Sequence, residues 1–302
     1  MEGRGTGTRG SARAATFIAA ELARYGVQSA GDSGFFQRVP VAFTSGSEGR
    51  RLMLLSSLAA RDSLPVSDRA NAVNVVGVIP GSDPALREQV VLVDAHYDHL
   101  GIQHGQAGDS IYNGADDDAS GVVAVMEIAR ALAAGPAPKR TVVVAATTGE
   151  EVGLLGTRWY LQHPARPLEA MVANLEIEMI GRPDSLAGGA GRGWLTGFER
   201  STMGELFANA GLPIVADRRL DQQFFMRSDN IAFAERGIVA HTLSSYNMHN
   251  DYHEPSDDVA HIDFAHMTRL VDVAVRAARL LVDTPTKREW KPGGRPQPRN
   301  RQ

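Results

Sequence analysis

Two β-branched runs, "QVVLVDAHYD" (89–98) and "RTVVVAATTGEE" (140–151), stand on either side of "ASGVVAVMEIARALAAG" (119–135). In the middle segment Val122, Val125, Met126, Ala129 and Leu132 share one helical stripe, whereas the flanking runs are continuous apolar stretches of strand length. Strand, loop, helix, strand is the crossover unit of a mostly parallel sheet, and it leaves the rest of the chain little choice. Runs at 74–81, 171–181 and 237–245 supply further strands. Helical periodicity over 11–25, which stops at Gly26, and over 201–211 and 262–283 supplies cover for the two faces. The pattern predicts a single three-layer αβα domain over 1–283 with a mostly parallel mixed central sheet. Segments 45–72 and 182–200 are its expected long loops, and a 43% apolar content suffices for the core.

Residues 284–302 differ from the body in carrying six Lys/Arg against one Glu, with Pro and Gly but almost no apolar side chains. Such a segment buries too little surface to order itself, so a mobile basic tail is expected. Its scattered charges are those of a solvated end rather than of a nucleic-acid site. Nothing approaches eighteen uninterrupted apolar residues, and the first thirty residues lack the basic-then-apolar order of a signal peptide; neither a membrane span nor a visible export signal is expected. The chain has no cysteine, which excludes disulfides and thiolate metal sites and leaves His, Asp and Glu as strong ligands.

In an open α/β sheet the ligand crevice lies beyond the carboxyl ends of the strands, and here those ends are rich in donors. One strand closes with Asp94, His96 and Asp98, which an extended backbone sends to one face. Another closes with Glu150 and Glu151, and a third with Glu176 and Glu178, while "NGADDDASG" (113–121) and "NMHNDYHEPSDD" (247–258) add more Asp and His. Each signal alone has an ordinary explanation: a hydrogen-bonded core histidine, a solvated helix start, a polar surface turn, a capping aspartate. Several carboxylates converging on one crevice repel one another unless cations neutralise them, and a dinuclear metal site resolves that conflict.

In this order, "AHYDHLG" (95–101), "NGADDDASG", "TTGEEVGLLGT" (147–157), "EMIGR" (178–182), "RSDN" (227–230) and "YHEPSDD" (252–258) resemble the co-catalytic di-zinc aminopeptidases of the MH clan. Relatives in that clan include bacterial leucyl aminopeptidases, glutamate carboxypeptidases and glutaminyl cyclases, and the resemblance runs from "EGRGTGT" (2–8) to the last helix. It implies two Zn2+ ions, with Co2+ or Mn2+ as substitutes. His96 and Glu178 would be end ligands of one, Glu151 and His253 of the other, and Asp117 the bridge. Glu150 would be the general base, Asp98 the carboxylate behind His96, Asp229 a supporting group and Tyr252 a donor to the oxyanion. The resemblance also implies a cis bond between Asp117 and Asp118, with Asp118 shaping the turn into the helix and Asp116 solvated or bonded within the loop. Three departures stand out: Glu178 where secreted relatives have Asp, Asp94 where relatives have a small residue, and Asn230 where many have His.

The activity so implied is metal-dependent hydrolysis of N-terminal peptide bonds, on peptides with a free N-terminus. One alternative is a single-zinc acyl transferase like the glutaminyl cyclases. Another is a carboxypeptidase or dipeptidase, with Arg182, Arg218 and Arg219 as candidate groups for a substrate carboxylate. A non-catalytic scaffold is disfavoured because all five ligand positions are filled. Relatives are commonly exported, which favours a periplasmic or secreted setting; the sequence leaves open whether Met1 is the true start. Segment 41–73 is too short for an inserted protease-associated domain, and the sequence sets no oligomeric state.

Overall fold

The strand Val90–His96, buried at all seven residues, lies inside a nine-stranded mixed sheet. This computed structural model describes residues 1–46, 49–103, 105 and 108–297. The sheet runs Gln28–Ser29, Ala72–Ile79, Thr141–Thr147, Val90–His96, Met171–Ile177, Ala240–Ser244, Gly193–Leu195, Ile214–Ala216, and Phe36–Val39 also pairs with Ala72–Ile79. Val90–His96 is parallel to Thr141–Thr147 and to Met171–Ile177, and Met171–Ile177 is parallel to Ala240–Ser244. These four parallel strands therefore end on one edge. The outer pairs of Ala72–Ile79 with Thr141–Thr147 and of Gly193–Leu195 with Ala240–Ser244 are antiparallel.

Strand alternation divides the core in two. Val91, Val93 and Ala95 join Ile18, Leu22, Ile128, Leu132, Leu270 and Leu281, which come from the helices Arg9–Arg24, Gly121–Ala134 and Phe264–Asp283. Val90 and Leu92 face the other way, toward Tyr160 of Leu155–Gln162 and Phe233 of Asn230–Glu235. Local signals set the helix limits. The side chains of Thr8, Ser201 and Asp263 cap the helices that follow them, and Gly26 at φ +80° closes the first. Among the described residues no helix is long and apolar enough to cross a membrane.

The structure departs from the sequence pattern in three places. Segment 45–72 is not one long loop: Val41–Gly46 and Gly49–Leu54 form a hairpin, followed by the short helix Leu58–Asp62. Segment 182–200 contains Gly193–Leu195, three residues that join the sheet through pairing on both sides. Residues 284–297 lie along the body instead of free of it. The Trp290 indole donates to the Gly237 carbonyl at 3.0 Å and packs near Phe225 and His241, while the Lys291 ammonium pairs with Glu205. One aromatic anchor and backbone bonds such as Lys291 N–H to Arg200 O do what the composition of this segment does not advertise. The last part of the expected tail, 298–302, falls outside the described residues.

Candidate metal centre

Each of the parallel strands delivers ligand-type residues at its carboxyl end. Val90–His96 ends on His96 and is followed by Asp98 and His99; Thr141–Thr147 is followed by Glu150 and Glu151; Met171–Ile177 by Glu178. His253 comes from the loop after Ala240–Ser244 and holds φ at +58°, a backbone region in which a side chain is strained and which clusters at functional sites. Asp117 comes from the loop that leads into Gly121–Ala134, and its peptide bond to Asp118 is cis.

These side chains meet around Asp117. Its Oδ1 lies 3.3 Å from His96 Nε2, which is itself 3.9 Å from Glu178 Oε1. Its Oδ2 lies 3.2 Å from His253 Nε2, which is 3.1 Å from Glu151 Oε2. Two ligand-competent groups thus share one aspartate: His96, Asp117 and Glu178 on one side, Asp117, Glu151 and His253 on the other. His96, Glu150 and Glu151 also bring one donor atom each within 4.8 Å of one another, and so do His99, Asp117 and Glu151. The Nε2 atoms of His96 and His253 are buried and make no directed hydrogen bond, although carboxylate oxygens stand beside them. Donor atoms that are close but not aligned with each other are aimed at a common space, and an all-N/O set of this kind suits a zinc-type cation.

The electrostatics agree. Burial pushes the Asp117 carboxyl up, but the adjacent imidazoles of His253 and His96 outweigh it and hold it far below the usual range. Burial disfavours a charged His253, yet its contacts with Asp117 and Glu151 push it up to about 10. Burial raises Glu150 well above the ordinary carboxylate value; His96 opposes this and Glu178, Asp229 and Glu151 reinforce it. Glu178 is pushed up to about 7, by burial first. The centre is a set of crowded carboxylates that draws positive charge from any available source.

The acidic loop is fixed largely through its backbone. Asp118 Oδ1 accepts the N–H groups of Gly121 at 3.0 Å and Met179 at 2.9 Å, so it starts the helix and ties the loop to the Glu178 strand end. Asp116 is fully buried rather than solvated, accepting from Gly181 N–H at 2.6 Å and lying 3.2 Å from His249 Nε2. Asp257 Oδ2 accepts the N–H groups of Asp116 and Asp117 at 3.1 and 3.0 Å. Arg4 donates to the carbonyls of Tyr97, Asn113 and Gly114 at 2.7, 2.6 and 2.8 Å.

Asp98 differs from its expected place behind His96. The Asp98 main-chain carbonyl, 3.2 Å from His96 Nδ1, takes that position, which assigns the proton to Nδ1 and frees Nε2 for a cation. The Asp98 carboxylate sits 3.8 Å from the ring and accepts instead from Thr6 Oγ1 at 2.8 Å and Glu150 N–H at 3.2 Å. Asp94 and Glu176 lie beneath the centre, not in it: Asp94 accepts from Asn174 Nδ2, and Glu176 holds Ser228, Thr242 and the N–H groups of Asp229 and Asn230. Asp229 accepts from Thr147 Oγ1 at 2.7 Å, at the end of a ligand-bearing strand. Tyr252 stacks on His253 with ring centroids 3.9 Å apart and lines the crevice with Asp117, Glu150, Glu151 and Glu178. Arg4, Asp257 and His99 stand inside the motifs "EGRGTGT", "YHEPSDD" and "AHYDHLG", but nothing in those motifs tells what each of the three does.

An imidazole–carboxylate centre on the carboxyl edge of a mixed α/β sheet is an arrangement that metal-dependent hydrolases use. The chain belongs to peptidase family M28, whose model matches residues 74–278. It is 35% identical over 181 residues, 58% of this chain and 35% of the relative, to a probable zinc metalloprotease of Leptosphaeria maculans. The chain spans between about a fifth and a third of the length of the curated relatives it matches. Its fold is that of a zinc aminopeptidase from Bacillus subtilis (TM-score 0.64, 16% identity, 94% of this chain and 92% of the other). It is also that of the Porphyromonas gingivalis glutaminyl cyclase (TM-score 0.61, 16% identity, 91% of each chain).

Proposed function

We propose that this chain is a zinc-dependent aminopeptidase that removes residues from peptides with a free N-terminus. The observation that carries this is the disposition of Asp117, whose two oxygens face two different imidazoles at 3.3 and 3.2 Å, each imidazole with its own glutamate. His96, Asp117 and Glu178 would hold one cation, and Asp117, Glu151 and His253 the other. Zn2+ bound there, or Co2+ or Mn2+ in its place, would polarise the scissile carbonyl and acidify the attacking water.

The remaining work falls to the protein. Glu150 lines the crevice, its backbone held by Asp98, and would take the proton of the attacking water and return it to the leaving amine. Tyr252, a phenol donor on the same wall, would hydrogen-bond the oxyanion of the tetrahedral intermediate. Carboxylates at the base of the crevice suit a substrate ammonium, and Met179, Trp194, Phe224 and Tyr246 give its N-terminal side chain an apolar wall.

A glutaminyl cyclase reading shares the fold, but two imidazole–carboxylate groups, His96 with Asp117 and Glu178 and His253 with Asp117 and Glu151, favour two cations over one. A carboxypeptidase reading loses two of its three candidate arginines: Arg182 pairs with Asp251 and Asp257, and Arg219 with Asp184. Turnover of aminoacyl-nitroanilides and of N-terminal glutaminyl peptides, before and after chelation and alongside metal analysis, tests the proposal. Chelator-sensitive nitroanilide cleavage with two ions per chain is expected. Glutaminyl cyclisation with a single ion would overturn it.

A further inference from the structure

His99 is an imidazole at the centre to which the two-cation arrangement gives no task. Its side chain is completely buried, and Nδ1 lies 2.6 Å from Glu151 Oε1 and 3.8 Å from Asp117 Oδ2. Three features hold it there. Its N–H donates to the Arg4 carbonyl within a bridge between Gly5 and His99. Its ring packs on Gly114, where an added Cβ would fall 2.5 Å from His99 Cγ, so the loop carrying Asp117 lies directly against the imidazole. On another side it meets the His253 ring edge-on, with centroids 5.6 Å apart.

We propose that His99 is a positioning residue for the second cation site, its Nδ1–H donating to Oε1 of Glu151 so that Oε2 is turned toward the cation shared with His253 and Asp117. This rests on the two-cation reading above. Distances separate this role from direct ligation. Atoms about 2.0–2.1 Å from one tetrahedral cation stand roughly 3.3 Å apart. Glu151 Oε2, His253 Nε2 and Asp117 Oδ2 match that spacing at 3.1 and 3.2 Å. The 2.6 Å from His99 Nδ1 to Glu151 Oε1 is too short for it, and is the length of a charge-assisted hydrogen bond. One glutamate thus offers one oxygen to His99 and the other to the cation. Partners that orient a metal-binding side chain this way typically change metal affinity about 10–100-fold when removed.

Metal content after dialysis against graded chelator, measured on wild type, His99→Leu and His99→Asn, tests the role; an Asn amide nitrogen sits where Nδ1 does. Wild type should hold two zinc ions per chain. His99→Leu should keep the first and release the second at about 10–100-fold lower chelator, and His99→Asn should recover most of the loss. Retention of the first ion shows that the variant site is folded. Nitrogen NMR of the zinc-loaded wild type supplies a readout that needs no variant: a protonated, hydrogen-bonded His99 Nδ1 is expected, and a metal-bound Nδ1 overturns the proposal. Equal release from His99→Leu and wild type overturns it as well, as does an Asn variant no better than Leu. A wild-type chain that takes up only one ion overturns the two-cation reading and this role together, whereas two ions with an unaffected Leu variant overturn this role alone.

Discussion

The guanidinium of Arg4 donates to the carbonyl of Gly114 across 110 residues of sequence, at 2.8 Å, and so fastens the N-terminal segment to the loop that carries Asp117. The same group serves Tyr97 and Asn113. Arg4→Met would leave three carbonyls without these donors in or near the interior. Each unsatisfied group costs about 1–3 kcal/mol, so a stability loss of about 3 kcal/mol or more is expected, read from the urea midpoint, together with weaker zinc retention. Lys at this position restores charge but not the forked geometry, and should recover only part. An Arg4→Met midpoint equal to wild type would show that the clamp is dispensable.

Glu150 and Glu151 are neighbours in sequence to which the proposed function gives separable roles. Glu150→Gln keeps the shape of the crevice and the Glu151 donor, so zinc content should stay at the wild-type level while kcat falls about 10²–10⁴-fold, the usual worth of a general base. Glu151→Ala and Asp117→Ala should lose metal and activity together. Metal analysis beside single-turnover rates distinguishes the two patterns, and an active Glu150→Gln enzyme would remove Glu150 from the mechanism.

What the sequence made legible, and what it did not, follows from the range of the interactions. Strands at Val90–His96 and Thr141–Thr147 and the helix between them announce themselves through local periodicity. The convergence of His96, Asp117, Glu151, Glu178 and His253 also follows, because a parallel sheet brings the ends of its strands to one edge. The hairpin at 41–54 escapes because only one side of Gly49–Leu54 is partly covered, so charged and apolar residues mix without a clean face. The tasks of Arg4 and Asp257 escape for another reason, although both stand in quoted motifs: they act on backbone groups about 110 and 140 residues away, and a backbone partner leaves no residue type to notice. Asp98 illustrates the same limit, since its carbonyl rather than its carboxylate meets His96.

The Tyr252 ring is held by His253 and Tyr246, so in the proposed mechanism only its hydroxyl would meet the substrate. Tyr252→Phe preserves that stacking and removes the donor. Loss of one oxyanion donor costs about 10²–10³ in kcat, and KM and zinc content should change little. A variant with wild-type kcat would assign Tyr252 to packing alone.

His241 lies apart from the metal centre and gives the fold a pH dependence of its own. The ring is fully buried between Ser201 Oγ, 2.7 Å from Nε2, and the Thr196 carbonyl, 2.6 Å from Nδ1. Burial lowers its pKa from 6.5 to about 4; the Thr196 bond opposes this and the Arg200 charge adds to it. The folded chain therefore keeps His241 neutral where the unfolded chain has already bound a proton, and stability must rise with pH across that window. The contribution is complete above about pH 6.5 and is lost as pH falls toward 4, on the order of 3 kcal/mol in all. Urea unfolding of the zinc-free protein and of His241→Gln at several pH values isolates it: the difference between the two should shrink steadily from pH 6.5 down to 4. A difference that holds constant over that range would mean that His241 titrates alike in the folded and unfolded chain.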